Sequence, residues 1–173
     1  MKRIKTLTIL SFLSICFFLS STAAMYSNSV IDVIKLNDSD IPEGYRYGII
    51  PEFAKNMLKN NPWNLDQNAL SRFAPRIYPE ADSRSMANVH MTIIASEKNP
   101  YDDDIVCYIF LYKDKKSAER EIEKLTKFVE YNRDRGIVLS KENLAVYLLV
   151  DHTKEYRHIE NISRNIQKRM DTL

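Results

Sequence analysis

Glycine is scarce. The 173 residues hold three, Gly44, Gly48 and Gly136. A Walker loop, a dinucleotide fingerprint and a lipase-type nucleophile elbow each need paired glycines where the backbone turns sharply or closes on a ligand, so nucleotide chemistry through those motifs is excluded. Histidine is scarce as well. His90, His152 and His158 never take the spacing that sets two imidazoles on one helical face, which leaves zinc without support. Three consecutive aspartates, Asp102, Asp103 and Asp104, suggest calcium only superficially: neighbours in an extended loop point in alternating directions and lack the EF-hand spacing. They read as solvated loop charge. The sequence therefore implies no cofactor and no metal.

Of the two cysteines, Cys16 and Cys107, the first lies in a targeting segment, so no internal disulfide is expected. Cys107 sits among Ile105, Val106, Tyr108 and Ile109, where desolvation suppresses the thiolate, so it reads as an inert core residue.

That targeting segment is the clearest positive feature. Lys2, Arg3 and Lys5 precede an apolar run from Leu7 to Leu19, and Ser20 to Ala24 supply small residues. This is the order of a bacterial-type secretory signal peptide, with cleavage expected after Ala24. The apolar run is shorter than the roughly 20 residues of a spanning helix, so no membrane span is expected after cleavage. Lipidation at Cys16 is disfavoured, because Ile15 occupies a position that needs a small side chain and the apolar run continues beyond the cysteine. The expected location is periplasmic, envelope-associated or secreted. Removing residues 1–24 takes three of the 25 basic residues and none of the 23 acidic ones, leaving 22 against 23. Net charge then offers no argument for nucleic acid or an anionic membrane. The remaining 149 residues are the size of one domain, expected as a monomer or weak dimer.

Along residues 25–173 the pattern predicts an α+β fold. Ile41 to Gly44 reads as a turn with proline second and glycine fourth, followed by a short strand, Tyr45 to Ile50, and a helix opened by Pro51. Leu65 to Ala74 reads as a short helix, and Pro75 and Pro79 bracket an irregular passage. Met86 to Ser96 alternates with strand periodicity, and Ile105 to Tyr112 forms its hairpin partner. Asp114 caps a long amphipathic helix running to about Asn132. Ile137 to Leu139 and Leu144 to Val150 make a second hairpin around Ser140 to Asn143, and a last helix follows. The succession hairpin, helix, hairpin, helix predicts an antiparallel sheet of about five strands with both long helices on one face. The N-terminal region, with Trp63 and the Pro51 helix, is expected over part of the other.

The candidate site is that second face. Alternation is read as bringing His90 and Thr92 to the side of Tyr108, Phe110, Tyr112 and Tyr147, and tyrosines with polar neighbours make amphipathic contact surfaces. His90, Thr92, Tyr108, Tyr112, Tyr147 and Trp63 are thus the candidate ligand-binding residues, for an unknown small ligand or protein partner. The function expected is a non-enzymatic binding or interaction module. The alternatives are a small hydrolase using Asp151 and His152 as an acid-base pair, and an envelope-associated structural protein.

Overall fold

The computed structural model describes residues 29–48, 64–99 and 104–173. The expected signal peptide, Trp63 and the helix expected after Pro51 lie outside the described residues. So does most of the aspartate run.

The structure has the expected α+β antiparallel architecture. Among the described residues its six strands are β1 (Tyr45–Tyr47), β2 (Asn64–Leu65), β3 (Met86–Ser96), β4 (Asp104–Tyr112), β5 (Gly136–Lys141) and β6 (Leu144–Val150). They run in the order β1-β3-β4-β6-β5, with β2 on the same edge of β3 as β1. Among the described residues three helices pack on the sheet: α1 (Gln67–Ile77), α2 (Lys115–Glu130) and α3 (Tyr156–Asp171). Residues 29–34 add a short helical segment.

Side-chain chemistry explains the elements. Ile105, Cys107 and Ile109 on one side of β4 and Phe110 and Tyr112 on the other are all buried, so this central strand needs cover on both faces. Asp114 Oδ1 accepts from Ser117 N at 2.8 Å and starts α2, while Asp66 Oδ1 accepts from Ala69 N at 2.8 Å and starts α1. The two hairpin strands β5 and β6 are joined through Glu142, which holds φ at 54°, and Asn143.

The helices are distributed differently from the expectation. The two long helices lie on opposite faces. Ile159, Ile162, Ile166 and Met170 of α3 join Ile31, Ile34 and Leu36 against the Cys107 face. Ala118, Leu125 and Val129 of α2 join Leu70 and Ala74 of α1 against the Phe110 face. A sheet apolar on both sides has to be covered twice, and α3 with residues 31–36 on one face and α2 with α1 on the other achieve that.

Three local readings also change. The turn runs Pro42–Tyr45, with Tyr45 N bonded to Pro42 O at 3.1 Å, so Gly44 at φ 80° is third rather than fourth. That placement is the type II pattern, which favours glycine for its positive φ. Helix α1 continues through Pro75 to Ile77 instead of stopping before it. A proline close to the C-terminal end of a helix removes a single amide donor. Strand β5 extends to Lys141, shortening the second hairpin loop to two residues.

Candidate functional site

Strand register decides which of the candidate residues meet. In the β3–β4 pairing, His90 stands opposite Ile109 and Thr92 opposite Cys107, whereas Met91 stands opposite Tyr108. Residues directly opposite in an antiparallel pair share a face. His90 and Thr92 therefore lie on the Cys107 face, away from the tyrosines, and the site expected from alternation is not assembled. The cause is register, which a one-residue slip inverts; β3 shifts register between Met86 and Asn88.

On the other face, Tyr108, Phe110 and Tyr112 stack along β4 with ring centroids 6.0 Å apart, and Tyr147 stacks on Tyr108 at 6.3 Å. Helices α1 and α2 cover this row: Tyr112 is 0% and Tyr147 4% exposed, and Tyr108 is half-buried. Burial pushes the Tyr108 and Tyr147 hydroxyls up to about 12. These aromatics form core, not an open groove.

His90 is consumed structurally. Its Nδ1 lies 2.8 Å from Asn64 Oδ1 and its Nε2 3.3 Å from Thr92 Oγ1. One neutral tautomer satisfies both: Nδ1–H donates to Asn64 and Nε2 accepts from Thr92. Burial, with a smaller contribution from the charge of Lys35, lowers the imidazole to about 4, which matches that neutral form. The pair clamps β2 to β3. Of the alternative acid-base pair, Asp151 Oδ2 accepts from Asp104 N at 3.2 Å and both Asp151 and His152 are exposed, so no cleft encloses them.

A concave feature among the described residues lies elsewhere, between residues 38–42 and α3. It is a cleft of about 190 Å³ lined by Ser39, Asp40, Ile41, Pro42, His158, Asn161, Ile162 and Asn165. Local sequence builds its first wall. Asn37 caps the 3-10 turn Asp38–Asp40, its Oδ1 accepting from Ser39 N at 3.0 Å, while Asp40 Oδ2 accepts from Asn37 N at 3.1 Å. Helical spacing builds the second wall, since 158, 161, 162 and 165 fall on one side of α3.

The two walls are bolted together. Arg169 Nη1 donates to Asp40 Oδ1 at 3.2 Å, Nη2 donates to Asp40 Oδ2 at 2.9 Å, and Asn165 Nδ2 donates to Oδ1 at 3.3 Å. Asp40 is buried with four donors around it, so its charge is spent on the scaffold. Beside the cleft, the Tyr45 hydroxyl donates to Glu155 Oε2, and His158 Nε2 stands 3.4 Å from the same oxygen. The Tyr45 and His158 rings meet at 5.0 Å. That contact fixes the imidazole at the cleft wall. The floor is apolar through Ile41, Pro42 and Ile162, and the sides offer carboxamides and an imidazole, a mixture suited to orienting a small polar group.

Sequence reading missed Asp40, His158, Asn161, Asn165 and Arg169. Two signals were present: the Asn37-x-x-Asp40 box, and the run of neutral polar residues between the buried stripe and the outermost charges of α3. Among the described residues no three His, Cys, Asp or Glu side chains are placed to hold a metal, and no helix is long and apolar enough to cross a membrane. Compared with known proteins, the chain matches no family model, and no curated protein or solved structure is detectably similar to it.

Proposed function

We propose that this chain is an exported, non-enzymatic binding domain whose contact point is the cleft between residues 38–42 and α3. The cleft itself carries the reading: an apolar floor, flanked by Asn161, Asn165 and His158, in walls pinned by the Asp40–Arg169 pair. Its 190 Å³ is below the roughly 300 Å³ of sites for drug-sized ligands, so it suits one inserted side chain or a small polar molecule. Export rests on the charged, apolar and small-residue order of residues 2–24.

The test is amide NMR of the protein titrated with a fragment library and with short peptides. Shifts should centre on residues 38–42 and 158–165, and Asn161→Trp, which fills the mouth from an exposed position, should abolish them. Shifts centred on another surface, or unaffected by that variant, refute the cleft. Protein recovered from outside the cytoplasm should begin at Met25; accumulation of intact chain in the cytoplasm refutes export.

The Glu155–His158 contact supports a second reading, hydrolysis with His158 as base, because a carboxylate on one imidazole nitrogen is how such bases are oriented. Against it, the Ser39 hydroxyl in the cleft already donates to Asn37 Oδ1 at 2.6 Å. Turnover of an ester panel that is lost in His158→Gln would favour hydrolysis over binding alone.

A further inference from the structure

The solvent side of α3 carries a row of exposed polar and basic side chains. Arg157, Asn161, Arg164 and Lys168 follow one another at spacings of four, three and four, which aligns them along one helical face, and all four are exposed. Among the described residues, Arg157 and Lys168 make no ion pair or hydrogen bond, and Arg164 reaches only Asn161 Oδ1. Glu160, at the flank of the row, pairs with neither arginine. On α2, Arg120, Lys124 and Lys127 are held by carboxylates of their own helix, and Lys115 and Lys116, unpaired among the described residues, sit in its first turn, away from the cleft lining. The unneutralised row borders the cleft directly, since Asn161 belongs to both.

From this juxtaposition, and resting on the cleft being the binding point, we infer that the partner is an acidic peptide segment lying along α3 with one side chain in the cleft. Two features favour a peptide over other polyanions. The carboxamides of Asn161 and Asn165 offer both donor and acceptor chemistry, which suits an amide backbone rather than a phosphate, and the apolar floor suits an inserted side chain. The row from Arg157 to Lys168 spans about 16 Å at 1.5 Å per residue, the length of about five extended residues. Asp38 and Glu43, the exposed residues that flank the 39–42 wall in sequence, would repel acidic side chains and favour the α3 side for the segment.

The probes are octapeptides carrying four interspersed glutamates and their glutamine counterparts, measured by fluorescence anisotropy with the full chain. The glutamate set should bind at least about tenfold more tightly, and the advantage should shrink between 50 and 200 mM salt. The triple variant Arg157→Glu, Arg164→Glu, Lys168→Glu should lose at least tenfold in affinity with its thermal midpoint unchanged, because all three side chains are exposed. Lys115→Glu with Lys116→Glu on α2 should leave binding intact. Equal binding of the glutamine set, or an equal loss from the α2 variant, overturns the inference. Tighter binding of polyphosphate or of phosphatidylglycerol vesicles through the α3 row also overturns it. Neutral peptides that bind and are blocked by Asn161→Trp overturn the acidic partner but leave the cleft standing. No response at the cleft to any probe refutes both.

Discussion

Arg169 near the end of α3 grips Asp40 with both terminal guanidinium nitrogens, across 129 positions of sequence. The carboxylate is fully buried and the guanidinium largely so. Removing one partner of such a pair leaves an uncompensated charge, at a cost of about 3–5 kcal/mol. Arg169→Met should therefore lower the urea midpoint sharply and open the cleft. Adding Asp40→Leu should recover part of the loss, so that the double variant is less destabilised than the sum of the singles.

The His90 clamp predicts acid sensitivity. Its folded value, near 4, lies below the ordinary 6.5, so the unfolded chain takes up the proton first. Stability is complete above pH 6.5 and declines as pH falls towards 4, by on the order of 3 kcal/mol over that window. Urea titrations at pH 7, 5.5 and 4.5 should show the decline, and His90→Gln, less stable at pH 7, should show a shallower one.

Glu121 is the buried hub of the opposite face. Its Oε2 accepts from the Tyr78 hydroxyl at 3.1 Å and from Asp82 N at 3.0 Å, and its Oε1 from Arg120 at 3.2 Å and Lys124 at 3.0 Å. Burial pushes the carboxyl up, but these donors outweigh it and hold the group below the usual carboxylate range. Glu121→Ala strands several donors and should cost about 2–4 kcal/mol by chemical denaturation. Glu123→Ala, which removes an exposed i,i+4 pair with Lys127, should leave the denaturation midpoint essentially unchanged.

Cys107 is 0% exposed, and burial pushes its thiol well above the ordinary range. A thiol reagent should label Cys107 of the folded protein no faster than the chain opens globally, and stoichiometrically in denaturant. Rapid labelling under native conditions would contradict this packing.

Much of the fold was legible because it is periodic. Alternation located β3, a run of β-branched and aromatic side chains located β4, and the apolar stripes of α2 and α3 were visible with the Asp114 cap between strand and helix. Which face each helix takes was not legible: β4 is apolar on both sides, so either helix could satisfy either side. The parity of His90 was lost for a related reason. It depends on how β3 pairs with β4, and neither strand encodes that pairing alone. The cleft was harder still, because Asp40 and Arg169 become neighbours only after the chain has folded. What sequence did carry was local chemistry: the Asn37–Asp40 box and the one-signed outer face of α3.

The bolting of residues 31–40 to α3 also bears on synthesis. Ile105, Cys107 and Ile109 have their cover from one direction supplied by residues 31–36 and by α3 together. A nascent chain halted before Tyr156 would present that side of the sheet half-bare to its neighbours, however well β3 to β6 had paired. Premature termination in the last helix should thus yield aggregates rather than a weakened monomer, and any chaperone attending this chain has to hold it until its final turns emerge.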